Sequence, residues 1–113
     1  MSDLASKRCV ACEGEARPLD LAACMKLKEQ LPERWRLLRE GKLLSAEFTF
    51  RTYYQTTAFV NAVAWIAHSE NHHPDIDFGY KVAKVSWWTH AVNGLTENDF
   101  ICAAKVEKLL NAA

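Results

Sequence analysis

The chain lacks an excess of charge of either sign: 14 basic residues balance 14 acidic ones, and the formal net charge is zero. A zero balance removes the basic footprint that nucleic-acid or anionic-membrane binding requires, so no direct nucleic-acid partner is expected. No stretch approaches the roughly 20 apolar residues that span a bilayer. The opening Met1-Ser2-Asp3-Leu4-Ala5-Ser6-Lys7-Arg8 also lacks the apolar run of a signal peptide. A soluble, cytoplasmic protein with no membrane partner is the expectation. In that compartment thiols stay reduced, so Cys9, Cys12, Cys24 and Cys102 are expected to be free, and disulfides need not hold the fold. No internal repeat implies a solenoid, and no low-complexity tract interrupts the chain.

What is present is apolar residues in plenty: half of the 113 residues are hydrophobic, enough for one core and too few residues for two domains. Residues 1–17 mix charges and small residues without periodicity and are expected to form a flexible N-terminal arm. Residues 18–113 are expected to form the single domain. The arm contains Cys9-Val10-Ala11-Cys12. A lone C-x-x-C is half a zinc site or a redox pair, and here neither a second C-x-x-C nor a preceding strand accompanies it.

Asp20 is placed to cap a first helix that Leu31-Pro32 ends. Arg34 to Leu38 and Leu43 to Phe50 flank Glu40-Gly41, whose glycine supplies the positive φ of a hairpin turn. In the second run Leu44, Ala46, Phe48 and Phe50 alternate with Ser45, Glu47 and Thr49, the signature of a strand with one wet face. Thr52-Tyr53-Tyr54-Gln55 fits a capping box and opens a helix from about 53 to 71 whose apolar positions cover more than one stripe. The surplus apolar surface suggests a subunit interface. Residues 77–80 and 82–90 give two more strands, with Val85, Trp87 and Thr89 on the core side of the second. A last helix begins at Thr96. The order α-β-β-α-β-β-α predicts an α+β fold: a four-stranded antiparallel sheet with three helices packed on one face.

Chemistry concentrates in the histidines. His68 and His72 lie four apart on the second helix, hence on one face, and His73-Pro74 follows where the helix must end. Three readings compete. A metal site would use His68 and His72 with His73 or His90, yet Glu70 does not stand where an H-E-x-x-H motif places its general base, so no metal is expected. Histidines also serve simply to cap a helix end, where their charge suits the macrodipole. The third reading is general acid/base catalysis on a small neutral substrate, for which imidazole is suited near neutral pH. There Asp99 would orient one ring, and tryptophans would line a slot for a flat substrate.

His72-His73-Pro74, followed by Tyr80, Trp87-Trp88-Thr89-His90, Gly94-Leu95-Thr96 and Asp99, resembles the pterin-4a-carbinolamine dehydratase family, with the likeness running from about Trp35 to about Leu110. The resemblance implies loss of water from a 4a-hydroxytetrahydropterin of the tetrahydrobiopterin type, giving the quinonoid dihydropterin. This is the recycling step after an aromatic amino-acid hydroxylase has used the cofactor. The pterin is then the substrate, and no cofactor is expected. By similarity His72, His73 and His90 match the family's catalytic histidines, Asp99 its acidic residue, and Trp35 a tryptophan near the pterin pocket. His68 stands where members often carry an acidic residue, four before the first histidine of the pair, and is assigned to orient His72 or the substrate. The resemblance further implies a homo-oligomer, dimer or tetramer. It also carries a second function class, because some animal members act as non-catalytic dimerization cofactors of a transcription factor.

Overall fold

The computed structural model describes residues 4–10 and 17–110. Its main elements are α1 (Leu21–Lys28), β1 (Arg36–Leu38), β2 (Leu43–Thr49), α2 (Tyr53–Glu70), β3 (Asp75–Phe78), β4 (Val82–Trp87) and α3 (Glu97–Leu110). Single 3-10 turns stand at Leu4–Ser6 and His90–Val92. The strands form one antiparallel sheet in the order β1-β2-β4-β3, so the expected α+β architecture and element order are those of the molecule.

Local chemistry explains the boundaries. Asp20 caps α1 by accepting the Ala23 N–H at 2.8 Å. The β1–β2 turn carries positive φ at Arg39 (52°), Glu40 (58°) and Gly41 (83°), so two ordinary residues share a conformation expected of the glycine alone. Thr52 caps α2 by accepting the Gln55 N–H at 3.1 Å. The Gln55 side chain reaches back to the Arg51 N–H at 3.0 Å, one residue earlier than in a standard capping box. β3 begins two residues before its expected start, directly after Pro74. β4 stops at Trp87 rather than running to His90, because Thr89 turns to pair with Gly94, their backbones exchanging bonds of 2.8 and 3.4 Å.

Period-two alternation builds the core. On one sheet face Leu44 is opposite Trp87, and Ala46 and Ile76 both lie opposite Val85. Phe59, Val63 and Ala67 of α2 and Phe100, Ile101, Ala103 and Val106 of α3 join them in one buried cluster. The other face shows the row Arg36–Ser45–Ser86–Asp75. Ser45, expected to be wet, is buried there because its hydroxyl meets that of Ser86 at 2.8 Å.

Residues 4–10, which belong to the stretch expected to be a flexible arm, are docked across the start of α3 and the end of α2. Leu4 is 2% exposed and joins the core. Lys105 donates to the Ala5 carbonyl at 2.9 Å, and Lys7 pairs with Glu97 at 2.8 Å. The Cys9 N–H donates to Glu70 Oε1 at 2.8 Å, while Val10 and Asn98 exchange bonds of 3.0 and 2.6 Å. None of these contacts has a sequence period, which is why the segment reads as an arm. Cys12 lies outside the described residues.

Candidate active site

The end of α2 sets the first histidine. Asn71 adopts the left-handed conformation (φ 53°, ψ 45°) and closes the helix. Its N–H donates to the His68 carbonyl at 3.3 Å, and the His72 N–H donates to the Ala67 carbonyl at 3.1 Å. This double closure reverses the chain one residue before His72. His72 is therefore not helical, and the expected shared face of His68 and His72 is lost. His68 stays on α2, exposed, its ring 5.4 Å from that of Trp65. His72 turns inward.

His72 Nε2 lies 2.6 Å from Asp99 Oδ1, and its ring stacks on Trp87 at 5.7 Å with the planes 4° apart. Asp99 is wholly buried. Its other oxygen accepts the Thr89 hydroxyl at 2.8 Å and the Thr96 N–H at 3.0 Å. The Thr96 contact is the backward half of a capping box, with Asp99 as the third residue of α3. A buried carboxylate is tolerable when its acceptor sites are filled, and here three donors fill them. The Thr89 hydroxyl also lies 2.9 Å from that of Thr96. Trp87 is fully buried, and its indole N–H finds no acceptor among the described residues.

A second group lies where β3 begins and β4 ends. Trp88 donates its indole N–H to Asp75 Oδ2 at 3.2 Å, and its ring lies 3.9 Å from that of His90. His90 opens the 3-10 turn and is exposed; His73 is exposed two residues before Asp75. The same end of the sheet thus carries an inward His72 on Trp87, His90 against Trp88, and an exposed His73.

Trp35 is not brought to this end. It has no exposed surface, packs edge-on against Phe48 at 5.8 Å and donates its indole N–H to Glu107 Oε2 at 2.8 Å. Glu107 stands eight residues beyond Asp99, about 12 Å along the helix axis. Its ring is part of the core, and the Glu107 bond satisfies its buried N–H. Thr89, Trp87 and Asp75 touch Asp99, His72 and Trp88 respectively, and of these Thr89 and Asp75 were given no site role from the sequence. The Thr96-x-x-Asp99 spacing was the one available signal for the carboxylate's clamp.

Glu70, two residues before His72, faces the docked arm instead of the histidines. Burial pushes its carboxyl up, but the Cys9 N–H, Lys105 and Arg8 more than reverse this and hold it below the usual carboxylate range. Among the described residues no three histidine, cysteine or acidic side chains are grouped to hold a metal ion, and no helix is long and apolar enough to cross a membrane. Cavities of about 370 Å³ on the uncovered sheet face and about 610 Å³ beside α1 contain no histidine.

A chain of Legionella pneumophila (strain Corby) named "Putative pterin-4-alpha-carbinolamine dehydratase" is 50% identical over 109 residues, covering 96% of each chain. One of the same name from Nitrosospira multiformis is 53% identical over 109 residues, covering 96% of this chain and 94% of its own. Among solved structures, a transcriptional coactivator/pterin dehydratase from Brucella melitensis shares the fold with a TM-score of 0.77 at 24% identity, covering 82% of this chain and 98% of its own. A pterin dehydratase-like protein described as a RuBisCO assembly factor in the alpha-carboxysome has a TM-score of 0.62 at 28% identity, covering 72% of this chain and 94% of its own. The family model described as pterin 4 alpha carbinolamine dehydratase matches residues 17–109, which take in the histidine end and the whole sheet. With its histidine pair, Thr-His turn and buried aspartate inside that match, the chain belongs to the pterin-4a-carbinolamine dehydratase family.

Proposed function

We propose that this protein removes water from a 4a-hydroxytetrahydropterin to give the quinonoid dihydropterin, as a step of pterin cofactor recycling after an aromatic amino-acid hydroxylase. The observation that carries the proposal is the 2.6 Å contact between His72 and the buried Asp99. A carboxylate bonded to Nε2 directs that nitrogen's hydrogen to itself and leaves Nδ1 as the atom that exchanges a proton. Orientation of an imidazole by a buried aspartate is the arrangement an acid/base histidine needs.

The elimination moves two protons. One leaves N5 of the pterin, the electron pair forms the new carbon–nitrogen double bond, and the departing 4a-hydroxyl gains a proton and leaves as water. In this proposal His72, through Nδ1, and His90 serve the hydroxyl, and His73 takes the N5 proton or orients the ring. The exposure of His73 and His90 supports their access to a ligand. Trp88, half-buried between Asp75 and His90, offers a flat apolar surface beside His90. The pterin is the substrate, and the proposal requires no cofactor.

The second function class, an interaction module, draws support from α2. Its Tyr54 is 82% exposed and its Trp65 67% exposed, large apolar rings that a self-associated dimer or tetramer would cover. The two readings part on one experiment. Freshly generated 4a-hydroxytetrahydropterin is followed by ultraviolet absorbance with the wild type and with a His72→Ala, His90→Ala double variant. Acceleration by the wild type alone supports the dehydratase; no acceleration by either makes the interaction module the leading function.

A further inference from the structure

The docked N-terminal segment ends in a thiol pair that the dehydration chemistry does not use. Cys9 Sγ lies 3.5 Å from Cys102 Sγ, although the two residues are 93 apart in the chain. We propose that Cys9 and Cys102 are a redox modification site, at which an oxidant of the hydroperoxide class makes a disulfide that latches residues 4–10 onto α3.

Position argues for it first. A disulfide needs the sulfurs at about 2.05 Å, so about 1.5 Å of approach remains, within reach of side-chain rotation. Both backbones are already held. The Cys9 N–H is fixed on Glu70, Val10 is bonded in both directions to Asn98, and Cys102 sits inside α3. The partner suggested by spacing, Cys12, competes with a sulfur that the fold has brought into contact.

The chemistry assigns each thiol a part. Cys9 is half-buried and within reach of a small oxidant, whereas Cys102 is fully buried. Its hydrogen bond with Cys9 and its burial push the Cys102 thiol far above the ordinary range, so it is the second to react. The Cys9 thiolate attacks one oxygen of hydrogen peroxide and breaks the O–O bond, giving a sulfenic acid and hydroxide, which takes up the thiol's proton as water. Cys102 sulfur then attacks the Cys9 sulfur. The S–O bond breaks, the departing hydroxide takes the Cys102 proton, and a disulfide and a second water remain. Two thiols and one peroxide thus give one disulfide and two waters.

The bond would span the joint that carries the candidate site. Glu70, which holds Cys9, is two residues before His72, and Cys102 is three residues beyond Asp99 on α3. The segment at Cys9 also lies outside residues 17–109, the part matched by the family model.

The test treats the whole protein with hydrogen peroxide, blocks free thiols and maps non-reduced tryptic peptides. A link between the peptides 9–26 and 85–105 is expected in the wild type and in Cys12→Ser, and it should be missing in Cys9→Ser and Cys102→Ala. The oxidised wild type should melt at least about 5 °C higher and return to its starting value with dithiothreitol. A link that survives Cys9→Ser overturns the proposal, as does a wild type in which only Cys9 and Cys12 join. An unchanged or lowered melting temperature in the linked protein overturns the latch. If Cys102→Ala fails to fold, Cys9→Ser decides the pairing alone.

Discussion

Asp99 meets His72 at 2.6 Å with one oxygen and caps the first turn of α3 with the other, through the Thr96 N–H at 3.0 Å. One carboxylate therefore fixes a helix start and an imidazole. A structural role and the proposed chemical one converge on it, and the two can be separated by substitution.

Asp99→Asn keeps the size of the side chain but supplies only one carbonyl oxygen where three donors converge. Under the proposed mechanism kcat should fall by about two to four orders of magnitude. Stability should fall by about 1–3 kcal/mol, the cost of a buried donor left unsatisfied. Single-turnover kinetics and urea denaturation check both; unchanged kcat would remove the His72–Asp99 pair from the chemistry.

Thr89→Val tests the support of Asp99 without removing it. The lost hydroxyl bond should cost about 1–3 kcal/mol in urea denaturation. The rate should drop less than in Asp99→Asn, because the contact to His72 persists. A Thr89→Ser variant, which keeps the hydroxyl, should restore most of the rate; failure to do so would assign Thr89 to packing alone.

Trp35→Ala should destabilise by about 3–5 kcal/mol, since a wholly buried indole and its bond to Glu107 are lost together. Against a domain stability of roughly 5–15 kcal/mol this is a large fraction. Trp35→Phe should fold and leave the KM for the pterin unchanged. A several-fold rise in KM for that milder variant would place Trp35 in the binding site.

Acid should loosen the docked segment. The Glu70 carboxyl is held below its usual range by the Cys9 N–H, Lys105 and Arg8, against the opposing effect of burial. A group depressed in the folded state stabilises fully above its unfolded value, about 4.3 for glutamate, and loses that contribution as the pH falls through its folded value. Melting temperatures measured from pH 7 to pH 3 should therefore decline less steeply below about pH 4.3 in Glu70→Gln than in the wild type. Parallel curves would refute the linkage.

Much of the fold was legible because its signals are local. Alternation in Leu44, Ala46 and Phe48, the cap at Thr52 and the break at Pro74 each depend on residues within one turn or one strand. The histidine pair and the Thr-x-x-Asp spacing could be read for the same reason. The direction of His72 could not, because it depends on a single left-handed residue, Asn71, which ends the helix one position early and separates His72 from His68. The reversal turned an expected face of two histidines into one exposed ring and one buried contact. The surroundings of Trp35 could not be read either, because its contacts with Phe48 and Glu107 join residues far apart in the chain.

By itself the sequence determined the element order, the sheet's buried face and the residues able to move protons, since periodicity and side-chain chemistry are carried along the chain. Only the tertiary structure decided which of them meet. Asp99 is 27 residues from His72, and Cys9 is 93 from Cys102. Contacts over such separations leave no period in the sequence and arise when α2, α3 and the N-terminal segment bury their apolar surface together.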